Sequence, residues 1–370
     1  MRPKWKLCCL GVALICYAAV TVIFWDPGIS ADVADTARLS QLNKSHRPPP
    51  RLLRRVERVL LDFSGRPSDV GRRLRQPFVV ENQNLCLERR PRFLIVVHSA
   101  PGNLDKRDFV RNTWAHRDVR SQFKMALLFV IGQVVGNDSL QAAVDAESAA
   151  HADLLQGEFV DSYQNLTLKA LSWLSWVDAH CSFSGGPSHV VKADDDVLVS
   201  PHLLHLLHWW RGRQLLPWNR PVCQWNVDWA VPRNGSKWGQ KWLVDESSYD
   251  EKYWPPFCLG ALYVWPVRLI RAMLLSSLVA RKVWLDDVYI TGLLTARLTR
   301  IHSQTVVPLD IGPRIAYHDE RNSTGLFLQN QMYVLKSVGA HRALEPIWRR
   351  YRRLHKLPDE LGRHLELPLL

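Results

Sequence analysis

"HVVKADDDVLVS", residues 189–200, decides the reading of this chain. "HVVKA" is a short apolar run of the kind that forms a buried strand, and Asp194, Asp195 and Asp196 follow it directly. Crowding them is no device for stability, because like charges this close repel and raise one another's pKa. One aspartate would serve to cap the next segment, "PHLLHLLHWWR", whose Pro201 suits a first helical turn. Three exceed that need. A hard divalent cation, Mn2+ or Mg2+, would remove the repulsion, since it prefers carboxylate oxygens and shares its remaining positions with phosphates and water.

Working outward, "RFLIVVHS" (92–99) and "KMALLFVIG" (124–132) read as further buried strands. Helical patterns fall between and after them, in "LDKRDFVRNTWAHR" (104–117), "SLQAAVDAESAAH" (139–151) and "NLTLKALSWLSWVDAHC" (165–181). Apolar strands alternating with helices predict an α/β fold, a mostly parallel sheet flanked by helices on both faces. Ligands of such sheets bind beyond the carboxyl ends of the strands, which is where the three aspartates fall. Residues 213–262, rich in Trp, Pro, Gly and Asn, show little regular pattern and read as a functional loop region. Helical patterns return near 266–279, 286–297 and 341–355.

The chain has 370 residues, 47% of them apolar, enough for a substantial core. Its formal charge is +13, much of it in 47–75 and in 349–353 with Lys356. Such blocks act as solvated or electrostatic arms. No nucleic-acid motif accompanies them, so no nucleic-acid partner is expected. Arg2, Lys4 and Lys6 precede "LCCLGVALICYAAVTVIFW", residues 7–25, which carry no charge. A helix of this length spans about 28 Å, close to a bilayer core. A cleaved signal peptide would have an apolar core of only about 7 to 15 residues. The expected layout is therefore a cytoplasmic tail (1–6), a signal-anchor (7–25), a Pro- and Arg-rich stem (26–90), a single lumenal domain (91–357) and a short tail (358–370). The short span suits a secretory-pathway membrane. Cys86, Cys181, Cys223 and Cys258 would face an oxidising compartment, where three pairings are open to them. Sequons at Asn43, Asn137, Asn165, Asn234 and Asn322 fit a lumenal chain.

A second acidic element, "VWLDDVYITGLL" (283–294), sets Asp286 and Asp287 before an apolar helix. An Asp there is an ordinary helix cap, or a general base in an aromatic setting. Arg107 and Arg111 stand four apart, on one helix face, where they would bind a diphosphate or simply be solvated. Asp161 and Lys169 in "DSYQNLTLK" are equally open.

The runs "RDFVRNTW", "LLFVIG", "ESAAHADLLQGEFVDSYQNLTLK", "VVKADDDVLVS", "KWLVDESSYDEKYWPPFCLGALYV" and "WLDDVYITG" occur in this order over residues 92–297. The series resembles the β-1,3-galactosyltransferase and β-1,3-N-acetylglucosaminyltransferase family, glycosyltransferase family 31. The resemblance implies a GT-A-like nucleotide-diphospho-sugar transferase fold and a DxD motif, Asp194-Asp195-Asp196, holding Mn2+ on the diphosphate of a UDP-sugar. Asp196 would be the direct metal ligand, with Asp194 on the ribose or a metal water. Asp287 would be the catalytic base, with Asp286 as the second candidate. Arg107, Arg111, Asp161 and Lys169, with Asp194 and Asp195, would bind the donor. Lys241, Trp242, Gly260 and Tyr263 would line the sugar and acceptor pocket. His341 would be an extra metal ligand, with His318 as a rival. The implied reaction is inverting β-1,3 transfer, galactose foremost, to a glycan on a glycoprotein, glycolipid or proteoglycan, at the Golgi membrane in type II orientation.

The sequence departs from the family pattern in three places, one being that the family's C-terminal histidine has no clean match. Gly-x-Gly-Tyr becomes Gly260-Ala261-Leu262-Tyr263, which would reshape the donor-sugar pocket, and the acidic pair is Asp-Asp where Glu-Asp is common. The alternative is an inactive lumenal glycan-binding or chaperone-like member of the same fold. The expected disulfides are Cys86 with Cys181 and Cys223 with Cys258.

Overall fold

Residues 93–98 are buried at all six positions, as expected of a strand covered on both faces. In the computed structural model, which describes residues 76–212, 220–233, 240–278, 280–302, 306–337 and 341–357, this strand lies in mid-sheet. The 7–25 span, most of the stem, the 358–370 tail and the sequons at Asn43 and Asn234 lie outside the described residues. Among the described residues no helix is long and apolar enough to cross a membrane.

The strands are β1 (Phe78–Val80), β2 (Phe93–His98), β3 (Met125–Gln133), β4 (Leu154–Val160), β5 (His189–Asp194), β6 (Val197–Val199), β7 (Val222–Asn226), β8 (Phe257–Pro266), β9 (Leu309–Asp310), β10 (Ile315–Tyr317) and β11 (Val334–Lys336). Eight form one sheet in the order β1-β4-β3-β2-β5-β8-β7-β9, and β10-β11-β6 form a second. β4, β3, β2 and β5 run parallel, joined by helical crossovers, while β8 runs antiparallel to β5 and β7. The architecture is mixed α/β with a mostly parallel central block. Side chains alternate across it: Phe93, Ile95 and Val97 feed one core, and Leu94 and Val96 feed the other, where Trp173 and Trp176 of the helix Leu166–His180 pack.

Three pieces of this geometry position the site. Asp195 and Asp196 form the turn that carries the chain from β5 in the large sheet to β6 in the small one. Antiparallel pairing sets Ala193 opposite Leu262, so the β8 residues Gly260 and Ala261 lie beside the aspartates. The segment after the helix Val267–Ser277 then brings Asp286 and Asp287 to the same edge, ahead of a π-helix at Val288–Leu294 and an α-helix at Thr295–His302.

Two sequence expectations are corrected here. The region read as stem contributes β1, paired with β4, and a helix at Leu85–Arg89, so folded structure is present well before residue 91. These pieces are too short to show a period of their own, and sheet pairing and a disulfide hold them. The segment read as irregular contains β7 and the start of β8. "VCQWN" lacks clean alternation because both sides of it are partly covered, and its identity as a strand comes from its neighbours. Cys86 is bonded to Cys181, tying the first helix to the end of Leu166–His180. Cys223 is bonded to Cys258, joining β7 to β8.

Candidate active site

Asp195 is buried, and its carboxylate accepts from Ser99 Oγ at 2.8 Å, Asn103 Nδ2 at 2.9 Å and Lys106 Nζ at 3.1 Å. Burial opposes the charge on Lys106, but Asp195 outweighs it and raises the ammonium pKa. Asp195 thus fixes the turn from within and has little left to offer a donor. Asp194 is half-buried and bonded at 2.7 Å to Lys192 Nζ. Asp196 accepts no hydrogen bond through its carboxylate from any described residue. Burial, then Asp194 and Asp195, push its pKa up. An under-compensated carboxylate beside a second one suits a hard cation better than it suits a bare turn. Among the described residues no three His, Cys, Asp or Glu side chains gather as a ready-made cage. The donor set therefore fits Mg2+ or Mn2+ held by one or two carboxylates, the remaining positions falling to phosphate oxygens and water.

Lys192 joins this corner to the second acidic element. It is two residues before Asp194, hence on the same face of β5, and almost wholly buried. Its Nζ donates to Asp194 Oδ1 and, at 2.7 Å, to the Gly260 carbonyl, and lies 3.8 Å from Asp286 Oδ2. Burial opposes its charge, yet Asp194 and Asp286 raise its pKa. Asp286 is buried against Lys192 and against His98 Nδ1 at 3.3 Å. Burial first and Asp194 next raise its pKa, while Lys192 opposes them. His98 is held well below its usual pKa by burial, Lys192 and Lys169, so the imidazole is neutral.

Asp287 differs from its neighbour in being reachable: it is only half-buried. Its Oδ2 accepts from the Gly260 amide at 3.0 Å and its Oδ1 from the Val288 amide at 2.8 Å. Burial, then the charge of Asp286, push its pKa up to about 7. It does cap the helix, as the simpler sequence reading had it, and the same two amides aim it. Gly260 is small for a reason, since a Cβ there would stand 3.1 Å from Asp287 Oδ2.

Several candidate residues take other roles. Arg107 is fully buried and spends its guanidinium on Glu147, Ser99 Oγ and the carbonyls of Ala100 and Pro101. Arg111 pairs with Glu147, Asp153 and Asp108. Burial opposes the charge on Glu147, but both arginines outweigh it and lower its pKa. The pair is thus a buried ion-pair network that holds the loop after β2; the sequence left it open between a diphosphate clamp and a solvated pair, and the resemblance implied donor binding. Lys169 is likewise buried, bonded to the Ser99 carbonyl and at 3.0 Å to Asp161, whose other oxygen accepts from the Gly132 amide. Tyr263 is fully buried over Lys192 and lines no opening, and Leu262 belongs to the core. His341 is buried edge-on to Phe109, its Nε2 3.8 Å from Asp105, and joins no metal cluster among the described residues. His318 Nδ1 donates to the Lys336 carbonyl, 3.3 Å away. Of the sequons, Asn137 and Asn322 are exposed, whereas the Asn165 amide nitrogen donates to the Val160 carbonyl.

Lys241 and Trp242 sit in an aromatic cluster that the sequence did not reveal whole. Trp242 stacks on Trp284, centroids 6.3 Å apart, and Tyr163 meets both rings edge-on or tilted. Trp284 is three residues from Asp287, and burial followed by Asp194, Asp286 and Asp287 raises the Tyr163 pKa, so the cluster borders the acidic centre. His98, Ser99, Lys192, Tyr163 and Trp284 were missed from sequence. The signals that would have found them are the carboxyl end of β2 and the two-residue period of β5.

The family model described as Galactosyltransferase matches residues 105–306, which span both acidic elements. This chain belongs to the galactosyltransferase family. Within that family it is 27% identical over 222 residues to Beta-1,3-galactosyltransferase 2 of Mus musculus, covering 60% of this chain and 51% of that one. It is 29% identical over 217 residues to Beta-1,3-galactosyltransferase 1 of Mus musculus, covering 58% and 63%. The chain spans about half the length of the first relative. Among solved structures, a mannosyltransferase from Pyrobaculum calidifontis in complex with GDP-Man and Mn2+ aligns with a TM-score of 0.33 at 16% identity, covering 82% of this chain and 81% of its own. That likeness is too low to bear on the site.

Proposed function

We propose that this galactosyltransferase-family chain transfers a hexose or N-acetylhexosamine, galactose foremost, from a UDP-sugar to the 3-hydroxyl of an acceptor glycan, with inversion to a β-linkage. One observation carries the reading: Lys192 touches Asp194 and approaches Asp286, so two acidic elements far apart in sequence form one centre. The relatives named as β-1,3-galactosyltransferases supply the substrate class. The acceptor is a glycan on a glycoprotein, glycolipid or proteoglycan. We place the catalytic domain in the Golgi lumen behind the 7–25 anchor.

The chemistry follows from the residues. Each Asp287 oxygen accepts one backbone amide and keeps a lone pair for the acceptor hydroxyl. As the hydroxyl oxygen bonds to C1 of the donor sugar, its proton passes to Asp287 and the bond from C1 to the diphosphate breaks, releasing UDP. Burial, and then the charge of Asp286, keep the base near neutrality, where a general base is most effective. Asp194 and Asp196 would hold Mn2+ or Mg2+, which would stabilise charge on the leaving diphosphate. The aromatic cluster offers a face for the apolar side of a sugar ring.

Two results test this. Transfer requires Asp287 ionised, so activity is present above its folded pKa and lost as pH falls through it. The acid limb of kcat/KM, measured with UDP-galactose and a galactoside acceptor panel, should bend near pH 7. A limb that bends near 4 rules out Asp287 as the base. Second, Gly260→Ala presses a methyl group onto Asp287 Oδ2, and steady-state kinetics should show kcat about tenfold lower with donor KM little changed. Linkage analysis of the product identifies the sugar and the bond.

A further inference from the structure

We infer that the acceptor is an anionic glycan, packed on Tyr163, Trp242 and Trp284 with its carboxylate or sulfate ester against Lys241. The inference rests on the transferase reading for the word acceptor, but its physical basis is separate. Lys241 Nζ stands 4.3 Å from the Tyr163 ring centroid and 5.1 Å from that of Trp242. These contacts hold an ammonium over aromatic faces without neutralising it. Among the described residues no carboxylate pairs with it. Tyr163 and Trp242 are themselves 37% and 38% exposed, an open apolar step made from three separate segments of chain.

A neutral sugar would need only the rings. An ammonium at their border, with no carboxylate partner among the described residues, adds a site for a charge-assisted hydrogen bond to an anion. It also offsets repulsion from Asp194, Asp286 and Asp287, the charges that act on Tyr163. The platform belongs to the acceptor side and not to the diphosphate. Trp284, the ring that stacks on Trp242, leads directly into Asp287, and the hydroxyl that gives Asp287 its proton is the acceptor's. The metal-binding aspartates lie at the β5–β6 turn instead.

The test reads binding and does not depend on turnover. Three probes, p-nitrophenyl β-galactoside, its 6-sulfate and p-nitrophenyl β-galacturonide, are titrated into the full-length protein in detergent by saturation-transfer NMR, with and without UDP. The expected result is that at least one anionic probe binds about fivefold more tightly than the neutral one, the upper range for a solvent-exposed charge pair. Lys241→Met should bring that probe down to the neutral level. The arm that wins separates sulfate from carboxylate. Equal binding of all three probes, no binding of any, or a preference that survives in Lys241→Met overturns the inference. So does a Lys241→Met protein whose loss is confined to UDP affinity, which would assign the lysine to the donor. A charge preference in a protein that transfers no sugar would instead refute the transferase reading and leave the anion site standing.

Discussion

Asp287→Asn should retain UDP-sugar binding and lose about 10²- to 10⁴-fold in transfer rate, the range expected on removal of a general base. The amide has the shape of the carboxylate and keeps one oxygen for the Gly260 or Val288 amide, so the π-helix start should survive. What it lacks is a basic lone pair for the hydroxyl proton. In the proposed mechanism the donor is held elsewhere, at Asp194 and Asp196, so calorimetric binding of UDP with Mn2+ should match the wild type. The choice of Asp287 over Asp286 is physical. Asp286 points inward, walled in by His98 and Lys192, and after burial it is the charge that most raises the pKa of its neighbour. An Asp287→Asn protein that transfers at a normal rate removes the base from this mechanism. One that fails to bind UDP shows that the two acidic elements do not divide the work as proposed.

How much of this was legible beforehand varies with the kind of signal. The strand before the aspartates, the parallel block and the helices at 139–151 and 165–181 rest on apolar runs and local periodicity, which act within a few residues. The short β1, β7 and β9 owe their existence to partners distant in sequence, and no local pattern encodes them. The acidic corner was legible because its cost is written in the sequence as three adjacent charges. Its bridge to Asp286 was not, because Lys192 reads as an ordinary polar residue in a strand until β8 and the 286–287 segment are folded around it. The aromatic cluster is similar: Tyr163, Trp242 and Trp284 come from three segments that only the fold brings together.

Arg107 shows where a motif and its role part company, and it makes the sharpest second prediction. Helix spacing put Arg107 and Arg111 on one face, and that face turns inward, onto Glu147 and Asp153, not toward a ligand. Arg107→Met would leave the Ala100 and Pro101 carbonyls without their donor and Glu147 with Arg111 alone. Removing one partner of a buried ion pair costs about 3–5 kcal/mol. Thermal unfolding should therefore show Tm lower by something on the order of 10 °C. Arg107 also bonds Ser99, which in turn bonds Asp195, but Asn103 and Lys106 hold Asp195 as well, so the acidic corner should keep its shape. Fewer molecules would be folded, but those that are should bind UDP nearly as well as the wild type. A diphosphate clamp predicts the reverse: unchanged Tm and a donor KM raised tenfold or more. Measuring both quantities on the same preparation decides between them, and the second pattern would mean that the guanidinium leaves its buried partners when the donor binds.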